Sequence, residues 1–291
     1  DGVITVADGL FALGMTVINV SEGITSIANE AFYQVTLPTD GSKTFQYTEV
    51  HLPRSLVSIG NFAFSSVDSQ LESVMFPAYE GSTDASHATE AELEAFYSLR
   101  TLGTGAFMNC HKFTKGNIPG TLTTIEDYCF KGTHITGYAM GSKVTKNGVG
   151  AFQDCTYLKR IIMTSSVSNI NIGDYAFGNC TTLTNFVWND QQTCTFGPSC
   201  FENCQSLTSF TFPKSASFEE PCGILKGCSS LTTVTMPETL NDVNGIPSST
   251  INMFEDCEKL SKKNIFAVYM FKIFKISENP FEMKCQYHAN L

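Results

Sequence analysis

The sequence predicts a solenoid, in which short parallel strands stack coil on coil into one continuous sheet over a shared core. Three observations predict it. An aromatic anchor recurs every 22 to 25 residues from Phe107 to Phe201, and Leu225 takes its place 24 residues on. Each anchor is followed three residues later by a cysteine in most coils, as in "IGDYAFGNC" (172–180). An alternating apolar unit precedes the anchors, and in several coils it ends in proline, as in "LTTVTMP" (231–237). A fixed period of this length is the mark of stacked supersecondary units that cannot bury their apolar side alone.

The anchors run through "IANEAF" (Phe32), "IGNFAF" (Phe64), "LGTGAFMNC" (Phe107), "IEDYCF" (Phe130), "NGVGAFQDC" (Phe152), Phe177 and "FGPSCFENC" (Phe201), and continue with Leu225 and Phe254. Alternation over "VTM" or over "FTF" in "LTSFTFPKS" (207–215) has period 2, which predicts a strand with one buried face. The following proline cannot donate to a ladder and ends it. Phe fills the wide part of the coil and Leu183 leads the next strand inward. Cys110, Cys155, Cys180, Cys204, Cys228 and Cys257 share one corner, where a thiol is small, tolerates burial and donates weakly to a carbonyl. The structural ladder is therefore Phe107, Phe130, Phe152, Phe177 and Phe201 beside those six cysteines.

The chain has 291 residues, 42% of them hydrophobic and 16% charged, which suits a folded protein throughout. A net charge of -10 with no basic stripe excludes nucleic acid as a partner. No stretch reaches the roughly 18–20 apolar residues of a bilayer span; "NIFAVYMFKIFKI" (264–276) is short and carries two lysines. The opening at Asp1, without an apolar leader, is expected of a processed chain.

The eleven cysteines are odd in number and contain no Cys-x-x-Cys, so neither a disulfide framework nor a zinc site is expected. No His-Glu-x-x-His, Gly-x-Ser-x-Gly or phosphate-cradling loop occurs, and "GTGAFM" (103–108) only repeats the coil consensus. No enzyme, cofactor or metal is expected. Glu126, Asp127 and Asp174 read as turn residues facing water, and His51 and His87 as solvated imidazoles.

Strand alternation turns one set of side chains outward: Glu49 and His51, Ser73 and Met75, Lys115 and Asn117, Arg160 and Ile162, Asn185 and Val187, Ser209 and Thr211, Thr233 and Thr235. The candidate binding residues are Glu49, His51, Met75, Lys115, Asn117, Arg160, Ile162, Asn185 and Val187. Trp188 shares the inward phase of Phe186 and is expected in the core.

The units "LTTVTMP", "VSIGNFAF", "IGDYAFGNC" and "LPRSL" resemble the BspA-like, or Treponema-type, leucine-rich repeat family over roughly residues 15–260. The resemblance implies a curved leucine-rich repeat solenoid, with turns and short helical or 3-10 segments opposite the sheet. It also implies export to the cell surface and adhesion to host or neighbouring-cell proteins. Carbohydrate capture at the cell envelope and a structural envelope role are the alternatives. The expected organisation is a lead-in or cap at 1–14, repeats at 15–260 and a C-terminal cap or tail at 261–291. Insertions fall at about 33–46, a projecting hairpin around "TDGS", and at about 78–101, where "SHATEAELEAFYSL" predicts a short amphipathic helix.

Overall fold

The computed structural model describes residues 2–5, 15–33, 47–66, 70–78, 95–116, 118–141, 143–163, 169–188, 193–219, 223–237 and 253–261. In chain order the first strands are β1 (Val3–Ile4), β2 (Val17–Asn19), β3 (Ser26–Ile27), β4 (Glu49–His51), β5 (Ser58–Ile59) and β6 (Ser73–Met75). They continue with β7 (Thr101–Leu102), β8 (Lys115–Gly116), β9 (Thr124–Ile125), β10 (Gly137–Met140), β11 (Lys146–Asn147) and β12 (Arg160–Met163). The last are β13 (Asn169–Ile172), β14 (Asn185–Val187), β15 (Thr193–Phe196), β16 (Ser209–Thr211), β17 (Ser215–Phe218) and β18 (Thr233–Thr235).

Parallel strands stack coil on coil, as the period predicts. Each coil supplies two strands rather than one. The even-numbered strands include the proline-ended units (β4, β6, β16 and β18), and they form ribbons of four (β2-β4-β6-β8), three (β10-β12-β14) and two (β16-β18). The continuous layer belongs to the odd-numbered strands, which make one nine-stranded parallel sheet from β1 to β17. Its inward row runs Ile27, Ile59, Leu102, Ile125, Asn147, Ile172, Phe196 and Phe218 in register. The short helical segments expected opposite the sheet are turns. Among the described residues only Ala95–Phe96 is helical.

The anchors form the predicted ladder. Phe32, Phe64, Phe107, Phe130, Phe152, Phe177 and Phe201 stack with centroids 5.0–5.5 Å apart and near-parallel planes. Leu158, Leu183, Leu207 and Leu231 are fully buried beside them. Each corner cysteine donates to the carbonyl of the preceding coil's anchor: Cys110 to Phe64, Cys155 to Phe130, Cys180 to Phe152, Cys204 to Phe177, Cys228 to Phe201 and Cys257 to Leu225, at 3.0–3.3 Å. The thiol is a second donor to the carbonyls of Phe130, Phe152, Phe177, Phe201 and Leu225, each of which also accepts the backbone N–H three residues on, and it ties each coil to the one before. The nine described cysteines are all free thiols.

Two turn positions adopt positive φ in most coils. One lies two residues before the anchor (Glu30, Phe62, Gly105, Tyr128, Gly150, Tyr175, Ser199) and one two residues after it (Asn109, Gly132, Asp154, Asn179, Asn203, Gly227, Asp256). The second set is filled by Asn, Asp and Gly, the residues that tolerate this conformation. It builds an amide ladder in which Asn179 Nδ2 donates to Asp154 Oδ1 at 2.8 Å and Asn203 Nδ2 to Asn179 Oδ1 at 3.0 Å. The glycine of the "IG" pair has a different cause: a Cβ on Gly173 would lie 2.6 Å from the Gly148 carbonyl carbon, so only glycine lets adjacent coils approach.

Asp127 and Glu126 do more than face water. Asp127 Oδ1 accepts the Val149 N–H of the next coil at 2.9 Å, and Glu126 pairs with Lys146. Asn147 interrupts the aliphatic row of the long sheet; it is fully buried, and neither Oδ1 nor Nδ2 has a partner among the described residues. Asn147→Ile, restoring the side chain of its neighbours Ile125 and Ile172, is expected to stabilise the protein by about 1–3 kcal/mol. The urea midpoint would rise at unchanged slope.

The predicted hairpin at 33–46 and the tail beyond 261, with Cys285, lie outside the described residues apart from Tyr33. Of the helix predicted within 78–101, only its end is described. Tyr97 and Leu99 are buried and non-helical, Tyr97 Oη donates to the Pro77 carbonyl at 2.6 Å, and the Arg54 guanidinium lies 5.4 Å from the Phe96 ring. The insertion therefore returns to cover the core.

Candidate binding face

Alternation along the even strands does what period 2 requires: Val50, Val74, Ile161, Phe210 and Val234 point into the core, and their neighbours point out. The outward residues form in-register rows. Glu49 lies beside Ser73 and Ser73 beside Lys115, while His51 lies beside Met75. In the middle ribbon Arg160 lies beside Asn185 and Ile162 beside Val187.

The candidate residues are therefore brought together as two clusters rather than one patch. Glu49, His51, Met75 and Lys115 share the first ribbon, and Arg160, Ile162, Asn185 and Val187 the second. Asn117 lies outside the described residues. Ile162 is only half-exposed, whereas Met75 and Val187 are both 37% exposed. His51 pairs with Glu49 two residues away on the same strand, so this imidazole has a carboxylate partner.

Between β14 and β16 the even strands part, and a cleft of about 440 Å³ opens. Its walls are Val187, Trp188, Thr211, Phe212, Lys214 and Met236, among others. Trp188 sits at this break, its ring 4.5 Å from that of Phe186, 5.5 Å from Phe196 and 6.3 Å from Phe210. The indole packs against the core as its phase predicts, yet it also lines the cleft, and its buried Nε1–H has no acceptor among the described residues. Sequence reasoning missed this cleft because phase alone does not show where neighbouring strands separate.

On the far side of the coils the aromatic rings of His111, His134 and Tyr157 follow one another at 5.9 and 4.3 Å. Burial, with His111 beside it, lowers the pKa of His134. Nothing polar converges there beyond the Gly132 carbonyl, which lies 2.9 Å from His111 Nδ1. Among the described residues no group of three metal-ligating side chains occurs, and no helix is long and apolar enough to cross a membrane.

Among curated proteins no sequence matches the chain. Solved structures similar to it include a leucine-rich repeat protein from Bacteroides ovatus, 22% identical, covering 84% of this chain and 83% of that one at a TM-score of 0.36. The T. pallidum leucine-rich repeat protein is 19% identical over 75% of this chain and 88% of its own, with a TM-score of 0.40. A leucine-rich cell surface protein from Faecalibacterium prausnitzii is 18% identical over 91% and 92%, with a TM-score of 0.29. The family model described as BspA type leucine-rich repeat region matches residues 6–86, 86–172 and 168–287, in six copies. With that match spanning nearly the whole sequence and the Phe and Cys ladders in place, the chain belongs to the BspA-type leucine-rich repeat family.

Proposed function

We propose that this chain is a non-enzymatic interaction module of the cell surface that adheres to host or neighbouring-cell proteins through the outer face of its even strands. The observation that carries the reading is the cleft beside Trp188. It is an apolar recess the size of one or two side chains, set in a face of small uncharged residues (Asn185, Ser209, Thr211, Thr233, Thr235). A recess that takes an anchoring side chain, ringed by weak polar contacts, is how protein interfaces concentrate their affinity. The placement outside the cell rests on the setting typical of the family.

The test is binding to a panel of immobilised extracellular matrix proteins, run beside a glycan array. Val187→Glu combined with Thr211→Glu, both exposed, is expected to weaken capture at least about tenfold, since a carboxylate at the cleft rim must be desolvated on docking. No protein bound, or equal capture by the charged variant, would refute the reading.

A further inference from the structure

The position two residues before each anchor forms a row along one edge of the solenoid, away from the even-strand face. In successive coils it holds Phe62, Gly105, Tyr128, Gly150, Tyr175 and Ser199, all at positive φ. Aromatics thus alternate with glycine. A bulky residue in this conformation costs about 1–2 kcal/mol that glycine would not, so packing alone favours glycine throughout. Yet every second coil from Phe62 to Tyr175 carries a ring, and Tyr128 and Tyr175 are 36% and 43% exposed.

The alternation has a geometric consequence. A Cβ on Gly105 would come within 2.5 Å of the Phe62 ring, and one on Gly150 within 2.6 Å of the Tyr128 ring. Each of these two rings therefore reaches along the edge over the glycine of the next coil, and the row becomes an aromatic strip with ring positions two coils, about 10 Å, apart. Polar groups border it. Lys131 Nζ lies 5.4 Å from the Tyr128 centroid and donates to Gln153 Oε1 at 2.9 Å, with Asp154 Oδ2 at 3.6 Å and the Asp154–Asn179–Asn203 amide ladder beyond.

From this we infer a second binding site, independent of the even-strand face, for an extended neutral β-1,4-linked polysaccharide. In such a chain the pyranose C–H faces are apolar and their rims carry hydroxyls. Rigid tyrosine rings meet the faces at little entropic cost, while the amide and ammonium row meets the hydroxyls. Sugar units two apart present equivalent faces at a rise comparable to two coils. A net charge of -10 selects against sulfated or uronic chains.

The test is isothermal titration of the full chain with cellohexaose and chitohexaose, with cellobiose and maltohexaose as controls. At least one β-linked hexaose should bind, more tightly than its disaccharide, and maltohexaose should not. Tyr128→Gly and Tyr175→Gly, which install the residue that Gly105 and Gly150 already hold, should each weaken binding about five- to tenfold and together abolish it, with the melting temperature retained. Silence with both hexaoses, equal binding of maltohexaose, or unchanged affinity in the double variant would overturn the proposal. A lower melting temperature with unchanged hexaose affinity would assign the rings to covering the coil backbone instead.

Discussion

Phe177→Ala is expected to destabilise the protein by about 3–5 kcal/mol, while Thr233→Ala stays within about 0.5 kcal/mol. Phe177 is fully buried and sits in mid-stack, 5.3 Å from the Phe152 ring and 5.1 Å from the Phe201 ring at 10° and 11°, with Phe186 edge-on at 5.2 Å. Truncation removes the transfer free energy of the ring, worth about 1.5–3 kcal/mol, and the stacking on both sides, and it leaves a cavity between coils that cannot close. The turn backbone cannot collapse into that space because the Phe177 N–H donates to the Cys200 carbonyl at 2.7 Å and Cys204 Sγ donates to the Phe177 carbonyl. A solenoid is held by nearest-neighbour interfaces, so weakening one also uncouples the two halves. Urea unfolding followed by circular dichroism should show a lower midpoint and a broader transition for Phe177→Ala. Thr233, exposed on β18 with its side chain outward, should leave the curve unmoved. Equal losses at the two sites would mean that the inward and outward assignments are wrong.

The reason Phe177 was legible in the sequence is the reason it matters. A buried position in a stack admits few side chains, so its identity repeats, and the Phe, Leu and Cys positions carried register, period and direction before any coordinates. The odd strands were not legible. "SI", "TL" or "KN" is two residues long and has no period to read, although six such pairs, with three four-residue strands, build the longest sheet. The "IG" glycines were quoted as consensus, but the need for them lies in the next coil's backbone, a contact across more than twenty residues of chain. The candidate face was legible as a phase and not as a patch. Which residues point outward follows from period 2, whereas the break at Trp188 and the half-burial of Ile162 depend on three-dimensional packing. The aromatic edge was hidden most thoroughly, because Tyr128 and Tyr175 occupy what the consensus treats as a free position. Only positive φ and exposure set them apart.

Raising the pH should unfold the protein abruptly between about pH 9.5 and 11, long before the backbone itself is at risk, because the core cysteines, in the ladder and beside it, act as a set of buried acids. Burial pushes the thiols of Cys155 and Cys194 up to about 12 and that of Cys257 to about 11, from an ordinary 9.0. The Cys129, Cys180, Cys204 and Cys228 thiols are also raised, by burial first and by neighbouring thiols or carboxylates second. Above pH 9 the unfolded chain releases these protons and the folded chain keeps them, so the unfolded state binds fewer protons and stability falls as pH rises. Below pH 9 the contribution is fully present. Each thiol removes about 1.4 kcal/mol per pH unit through the window between 9.0 and its folded value. Several acting together are enough to exhaust a typical stability of about 5–15 kcal/mol within a narrow span of pH. Circular dichroism and thiolate absorbance recorded together across pH 7 to 12 provide the measurement. The thiolates should appear in step with the loss of structure and not before it, and Cys180→Ala should make the transition shallower by one proton. Thiolates forming near pH 9 in a chain that keeps its circular dichroism would show that water reaches the corner and that the sulfur ladder lies outside the core.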